Sequence, residues 1–179
     1  MDTDEQPGKA RPDKIPSLKP AFVADGTITA ANSSSISDGA AALVMTRRSV
    51  AERMGLPVIA TVVASAAHAH EPARFTTAPV PAMRKLLAKA GWSVADVDLF
   101  EVNEAFAVVA MIAAKDLGIP ADKLNVNGGA TALGHPIGAS GARIIATLLG
   151  ALEERGLKRG VASLCIGGGE ATAMAFELA

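Results

Sequence analysis

Ten consecutive apolar residues, Ala105 to Ala114, constrain the fold of this chain more than any other feature. They predict a helix without a polar face, and a helix that is apolar on all sides has to be buried. The run is well short of the ~20 residues that a membrane-spanning helix needs, so its cover has to be protein. A second segment, Ile144 to Leu149, is nearly as apolar. Two such helices predict a helical layer that is covered by protein on both of its faces. A chain of 179 residues can hardly provide that cover by itself, and we therefore expect a missing partner.

Segments with strand and helix character alternate along the chain. The predicted strands are Ala40–Met45, Val58–Ser65, Leu99–Val102, Leu124–Asn127, Val161–Cys165 and Thr172–Glu177. The predicted helices are Arg47–Met54, Pro79–Ala90, Glu104–Leu117 and Ser140–Arg155. This alternation indicates an α/β fold with crossover connections. Residues 1–20, which contain four prolines, are predicted to form an extended lead-in ahead of a domain that spans residues 21–179.

The composition excludes several classes of function. A net charge of −1 argues against broad electrostatic binding of nucleic acid or anionic membranes. A single cysteine rules out an internal disulfide and a zinc site built from several thiolates. The acidic start of the sequence is not typical of a secretory signal, so we expect a cytoplasmic location. His68 and His70 stand two residues apart, but no third ligand is evident and no metal site is expected.

Three polar groups lie at or shortly after the ends of predicted strands. Asn103 could hold a water or donate to a carbonyl oxygen, or it could simply cap the apolar helix. His135 stands in a glycine-rich loop before a helix; it could be catalytic, but such a loop could also bind phosphate, or the histidine could lie in the core. Cys165 precedes three glycines and could be an acid/base or nucleophile beside an oxyanion hole, or an inert thiol before a hairpin turn.

These three residues are separated by 32 and 30 positions, and we expect them to meet in one pocket. Strand ends in an open α/β sheet gather at one edge, where ligands bind. From these residues alone, the arrangement indicates acyl transfer, with Cys165 as the nucleophile of a Cys-His-Asn hydrolase. The hydroxyl-rich stretch Asn32–Ser35 is either a polar loop or a pocket lining.

Four segments resemble the sequence signatures of the thiolases, in the same order and with the same spacing. They are Asp38–Ala42, Asn103–Ala107, Gly134–Gly141 and Cys165–Gly169. The resemblance implies an α/β thiolase fold, in which a duplicated α/β unit packs around shared helices. This chain is similar to the C-terminal half of that unit, with a mixed sheet and buried helices. It also implies an acyltransferase of the acetyl-CoA acetyltransferase or 3-ketoacyl-CoA thiolase type in fatty acid metabolism, which carries out Claisen condensation or thiolysis of 3-ketoacyl-CoA.

The resemblance also assigns roles to individual residues. His135 would activate the nucleophile and help bind the thioester oxygen, and Asn103 would hold a water in that oxyanion site. Cys165 would move a proton at the α-carbon or the leaving thiol, and Gly167 would contribute a backbone N–H to a second oxyanion hole. The path of coenzyme A and substrate would be lined by Ser34, Ala105 and Phe106.

The nucleophilic cysteine of the family belongs to its N-terminal half, so we expect acyl transfer only when that part is supplied. The expected partners are an acyl-CoA substrate and either an N-terminal thiolase half or a second copy of this chain, without nucleic acid or membrane. No cofactor is expected, since the coenzyme A thioester is the substrate. A thiol base needs a lowered pKa, which helix N-termini and an imidazole could supply to Cys165. The alternatives are a non-catalytic module that binds coenzyme A or a partner and, ranked last, the stand-alone hydrolase.

Overall fold

The computed structural model describes residues 2–179, apart from the side chains of Glu5 and Gln6. Met1, which belongs to the predicted lead-in, lies outside the described residues. The helices are α1 (Glu5–Lys9), α2 (Arg48–Met54), α3 (Pro79–Ala90), α4 (Ala107–Leu117), α5 (Ala130–Leu133) and α6 (Ser140–Glu154). The strands are β1 (Ala60–Ala69), β2 (Leu99–Val102), β3 (Arg159–Ile166) and β4 (Glu170–Leu178). Short 3-10 helical turns lie at Pro12–Ser17, Ala30–Asn32, Pro72–Thr77, Val94–Asp96 and Ala121–Lys123.

The four strands form one mixed sheet in the order β1-β4-β3-β2, which confirms the predicted α/β architecture. The β2–β3 pair is parallel, while β3–β4 and β1–β4 are antiparallel. Since β2 and β3 run in the same direction, their carboxyl ends lie side by side, with Val102 opposite Ser163. Asn103 follows the carboxyl end of β2, and Cys165 lies close to the carboxyl end of β3.

Each face of the sheet packs against its own layer of helices. On one face α3 and α4 contribute Met83, Leu86 and Val109 to a core that also contains Val161 and Cys165 of β3. On the other face Ile144, Leu148 and Leu152 of α6 pack against Leu99, Ala162 and Phe176. Because successive strand residues point to opposite faces, β2 and β3 supply side chains to both cores.

Two predicted strands do not form. Ala40–Met45 has no regular structure, and no described strand pairs with it; Val44 is 98% exposed. Small and β-branched residues make a strand only where a neighbouring strand completes their hydrogen bonds. Leu124–Asn127 makes a single bridge to Phe100 and then leaves the sheet, because Asn125 adopts a left-handed conformation with φ 47°. The strand predicted from Val58 begins two residues later, at Ala60.

The two apolar helices form, but they are not covered on all sides. In α4, Val109, Ala110 and Ala113 are buried, whereas Met111 is 67% exposed. In α6, Ile144 and Leu148 are buried and Ile145 and Leu149 are half-buried. Within the described residues the chain therefore does not bury these helices on all sides, because the sheet and α3 cover only one side of α4. This agrees with the expectation that a chain of this size can hardly cover them alone, and the partner itself stays a prediction. None of the helices within residues 2–179 is both long enough and apolar enough to span a bilayer.

The lead-in is not extended throughout. It contains α1 and the turn Pro12–Ser17, and the described side chains of both are exposed. Proline is favourable at the first position of such a turn, which is where Pro12 stands. The boundary between residues 20 and 21 stays a prediction.

Candidate active site

His135 is held by contacts on both sides of its ring and by its backbone. Its backbone N–H donates to the carbonyl of Ser35 at 2.9 Å, and Nδ1 lies 2.6 Å from Oγ of the fully buried Ser140. The Ser140 hydroxyl donates to the carbonyl of Pro136 at 3.0 Å. When the Ser140 proton is used there, Oγ can accept from Nδ1–H, an arrangement that leaves the lone pair on Nε2 and makes it the basic atom of the ring.

Asn103 brings an amide to that basic atom. The residue follows β2, is almost fully buried, and donates its backbone N–H to the Ser163 carbonyl of β3 at 2.9 Å. Its Nδ2 lies 3.5 Å from Nε2 of His135, while its Oδ1 accepts from Nη2 of Arg143 at 3.3 Å. The alternative that Asn103 caps the following helix is wrong, because α4 begins at Ala107 and Phe106 is its N-cap residue. The predicted meeting of Asn103 and His135 is confirmed.

Cys165 lies on β3, two residues beyond the Ser163 that binds Asn103. The thiol is buried in the same core as Val102 and Val109, a core against which the half-buried Ala105 and Phe106 also pack. The carboxyl ends of β2 and β3 therefore bring Cys165 and Asn103 to the same end of the sheet, although no described hydrogen bond joins Cys165 to His135. Burial raises the pKa of Cys165 to about 11. The expected lowering of this pKa is wrong, since removal of the thiolate from water outweighs the backbone hydrogen bond that opposes it.

The glycines after Cys165 form the turn between β3 and β4. The N–H of Gly169 donates to the Ile166 carbonyl at 3.1 Å, and its φ of 98° favours glycine. A Cβ at Gly169 would also collide with the carbonyl oxygen of His70. Gly167 differs, because it is exposed and a Cβ there would meet no atom within 4 Å. Packing within the chain therefore does not require a glycine at position 167, and the role of its N–H stays a prediction.

The serine-rich loop joins two of the predicted motifs. Both the N–H and the hydroxyl of Ser34 donate to the carbonyl of Ala105, at 3.1 and 2.9 Å. Ser33 forms a bridge with Phe106, and Ile36 forms one with His135. The Phe106 ring makes edge-on contacts with Phe22 and Phe75, at centroid distances of 5.7 and 6.1 Å. These contacts position the loop beside the site, and roles for Ser34, Ala105 and Phe106 in substrate binding stay predictions.

The polar environment of His135 includes two residues that the sequence reasoning missed. Glu101 is almost fully buried on β2, and its Oε2 lies 3.7 Å from Nη1 of Arg143 on α6. Burial raises the pKa of Glu101 to about 7, against the opposing charge of Arg143. Burial and then the charge of Arg143 lower the pKa of His135, which keeps its ring neutral near pH 7. A lone glutamate in an otherwise apolar strand, Leu99–Val102, is the signal that could have revealed this pair.

A second feature that the sequence reasoning missed is a set of hydrogen bonds from Asn125 and Thr131 to Glu104, which we call the clamp. The carboxylate of Glu104 accepts from Nδ2 of Asn125 at 3.0 Å and from the backbone N–H of Thr131 at 3.1 Å. A Cβ at Gly129 would collide with this carboxylate, so the glycine is required for the close approach. The clamp ties the start of the glycine-rich loop to the segment that follows Asn103.

His68 and His70 do not form a metal site with any other described residue. Their rings pack edge-on at 5.2 Å, with His68 Nδ1 3.1 Å from Lys85 Nζ and His70 Nε2 2.7 Å from the carbonyl of Arg74. Within residues 2–179 no group of three or more His, Cys, Asp or Glu side chains is arranged to bind a metal ion.

Comparison with known proteins identifies the family of this arrangement. Residues 56–178 match the thiolase C-terminal domain, and residues 1–49 match the thiolase N-terminal domain, so the similarity is not confined to the C-terminal half. A probable acetyl-CoA acetyltransferase of Dictyostelium discoideum is 51% identical over 97% of this chain and 42% of its own length. The cytosolic acetyl-CoA acetyltransferase of Mus musculus is 52% identical over 89% of this chain and 41% of its own length.

Solved structures agree with these relatives. The crystal structure of the Bacillus anthracis acetyl-CoA acetyltransferase aligns with a TM-score of 0.93 at 43% identity, over 99% of this chain and 45% of that one. Human mitochondrial 3-ketoacyl-CoA thiolase, solved in complex with CoA, aligns with a TM-score of 0.87 at 38% identity, over 96% and 43%. The chain therefore spans less than half the length of the proteins it matches. By sequence and by fold, the chain belongs to the thiolase family.

Proposed function

We propose that this chain supplies the proton-transfer and oxyanion groups of a thiolase-type acyltransferase, which acts on acyl-CoA by Claisen condensation or thiolysis of 3-ketoacyl-CoA. The observation that carries the proposal is the position of the His135 Nε2, 3.5 Å from the amide Nδ2 of Asn103, which follows β2 at the carboxyl ends of β2 and β3. The mouse relative is named cytosolic, and we include a cytoplasmic location and a role in fatty acid metabolism in the proposal.

His135 acts as the base for an incoming thiol. Its Nε2 takes the thiol proton, the thiolate attacks the thioester carbonyl, and the new Nε2–H then donates to the carbonyl oxygen as negative charge develops on it. A preorganised donor of this kind contributes about 3–4 kcal/mol to the transition state. Asn103 holds a water beside the same oxygen. The nucleophilic thiol comes from the N-terminal part of the family fold, since the only cysteine of this chain is Cys165.

Cys165 moves the second proton. In the free chain its thiol is protonated, because burial raises its pKa to about 11. It can therefore give a proton to a leaving thiolate or to a carbanion at the α-carbon. The thiolate left behind is a strong base in its dry surroundings and takes back a proton in the reverse direction. This pKa disfavours the stand-alone hydrolase, whose nucleophilic cysteine needs a lowered value.

An N-terminal thiolase half is the proposed partner. Large apolar side chains around the site are exposed, which is unusual for a chain that acts alone. They include Ile36, which is 91% exposed and bridges to His135, and Ile137, which is 69% exposed. An N-terminal half would cover these side chains, exclude water from the thioester and add the nucleophile.

Complementation tests the proposal. We would mix the chain with a separately expressed N-terminal thiolase half and follow the loss of acetoacetyl-CoA on addition of coenzyme A. Turnover should require both parts. It should be lost in His135→Gln and kept in His68→Gln, which is the matched control because it removes a histidine outside the site.

Intact mass after exposure to acetyl-CoA separates the alternatives. We expect no covalent adduct on the chain alone. Acylation of Cys165 in the chain alone would instead support the hydrolase. Binding of coenzyme A without turnover in any mixture would support the non-catalytic module and contradict the proposal.

A further inference from the structure

Glu101, which is almost fully buried, and Arg143, whose side chain is 20% exposed, form a pair that stability does not explain. The carboxylate and guanidinium are 3.7 Å apart, and neither Oε1 of Glu101 nor Nη1 of Arg143 has a hydrogen-bond partner. A buried ion pair offsets its desolvation only when its geometry is good and its remaining polar atoms are satisfied. An apolar pair of similar size would stabilise this part of the core at least as well, so the pair has another purpose.

The pair stands in direct contact with the catalytic groups. Glu101 and Asn103 are two residues apart along β2 and its extension, and both approach Arg143 in the first turn of α6. Arg143 places one nitrogen, Nη1, toward Glu101 and the other, Nη2, on Oδ1 of Asn103 at 3.3 Å. The amide of Asn103 then has only its Nδ2 left to face Nε2 of His135.

Ser140 cannot by itself fix the protonation of the His135 ring. A serine hydroxyl can donate or accept, so rotation about its C–O bond would let Ser140 donate to Nδ1 and place the proton of the ring on Nε2. An arginine can only donate. Oδ1 of Asn103 therefore has to face Arg143, its Nδ2 has to donate to His135, and Nε2 has to accept.

We propose that Glu101 and Arg143 are positioning residues: the carboxylate holds the guanidinium, the guanidinium orients the Asn103 amide, and the amide keeps His135 in the form with a basic Nε2. This inference deepens the proposed function, on which it rests for its meaning in catalysis. Its test reads the state of the ring directly and does not need turnover.

Nitrogen NMR of the histidine rings is the test, and the chain contains only three histidines. With ¹⁵N-histidine in the full chain, His68 and His70 serve as internal references. We would record the spectra at pH 8.5, where Glu101 is ionised, and we expect His135 to be neutral there with hydrogen on Nδ1 alone. In Arg143→Met the amide is free to turn, so a mixture with the Nε2–H form should appear and the pKa of His135 should rise. Arg143→Lys should also give the mixture, because lysine keeps the charge but lacks the two-armed group.

Two further variants complete the design. Glu101→Gln removes the carboxylate at nearly constant volume, should also give the mixture, and carries the test if Arg143→Met does not fold. Arg155→Met is the control, because Arg155 lies about 18 Å along the same helix from Arg143. It should leave the His135 signals unchanged.

Folded Arg143 or Glu101 variants that keep hydrogen on Nδ1 alone would overturn the inference, as would a wild-type ring with hydrogen on Nε2. A change in the unfolding midpoint without a change in the ring would mean that the pair is only structural. If the His135 ring changes its protonation as expected in the variants but complementation never yields turnover, the proposed function is wrong and the positioning role of Glu101 and Arg143 is still supported.

Discussion

The thiol of Cys165 should stay protonated until the solution is strongly alkaline. Burial raises its pKa from 9.0 to about 11, and each unit corresponds to about 1.36 kcal/mol, so the folded state disfavours the thiolate by about 2.7 kcal/mol. At pH 8 about one molecule in 1,000 would carry the thiolate, against about one in ten for an unshifted thiol. The population of reactive thiolate should therefore be lower by about 100-fold.

The same shift makes the stability of the fold fall at high pH. Between about pH 9 and 11 the unfolded chain has lost the thiol proton and the folded chain has kept it. The stabilisation is therefore complete below about pH 9 and is lost as the pH rises through the folded pKa, by about 2.7 kcal/mol in total.

Alkylation gives a direct measurement, because Cys165 is the only cysteine. We would record the rate of reaction with iodoacetamide from pH 7 to 11.5 and the urea midpoint over the same range. The pH at half-maximal rate is the readout, since burial also slows access of the reagent. Cys165→Ala is the control and should lose less stability at high pH than the wild type. A half-maximal rate at pH 9 or below would refute the argument that burial controls this thiol.

Three other outcomes are expected. Burial raises the pKa of Glu101 to about 7, so the contribution of this group to wild-type stability is lost as the pH rises from about 4.5 to 7. The stability of Glu101→Gln relative to wild type should therefore increase between pH 5 and pH 8. Urea titrations that give the same difference in stability at both pH values would contradict this. Gly129→Ala should destabilise the chain by about 1–3 kcal/mol because its Cβ collides with Glu104. Gly150→Ala, at an open position of α6, should stabilise it by about 0.5–1 kcal/mol, and thermal melts that do not separate the two variants would be evidence against the clamp. The chain by itself should self-associate in sedimentation experiments through its exposed apolar side chains, and a monomer at all concentrations would show that these side chains need no cover.

The local sequence pattern was sufficient to predict the position of a helix or strand where that element is determined mainly by its own residues. α3 matches its prediction, Pro79–Ala90, because its apolar spacing and the left-handed Gly91 at its end are local signals. β2 also matches, as a short apolar run next to β3. Ala40–Met45 has the same local character and forms no strand, because a strand depends on a neighbour that the pattern of its own residues does not report.

The start of α4 shows how a distant contact changes a local preference. The apolar pattern predicts a helix from Glu104, but the helix begins three residues later. The carboxylate of Glu104 instead binds the side chain of Asn125, 21 residues away, and the backbone of Thr131 in α5, 27 residues away. Only the folded loop reveals that this glutamate has a partner.

The site was predicted in part for the same reason. Strand ends that meet at one edge predicted the contact of Asn103 with His135, and Asn103 does follow β2. The strand expected before His135 does not form, so the histidine is placed instead by its contacts with Ser35 and Ser140. The position of Arg143 depends on how the first turn of α6 crosses β2, and no sequence pattern reports that crossing. The sign of the Cys165 shift was missed because the sequence indicates possible charged neighbours, whereas exclusion of water outweighs them in the fold.

The exposed apolar surface formed by Ile36 and Ile137 lies beside His135, so cover of this surface would affect both the stability of the chain and the chemistry of the imidazole. Ile36 and Ile137 flank His135 and are largely exposed, so water has access to the imidazole in the chain as it stands. A thioester bound there would be open to hydrolysis, and the charge on its oxygen would be screened by solvent. Cover over these two side chains would remove apolar surface from water and would also lower the pKa of His135 further, because burial already lowers it. A neutral ring with its lone pair on Nε2 is the form that the proposed proton transfer needs, so docking of the proposed partner should keep His135 in that form down to a lower pH at the same time as it stabilises the chain.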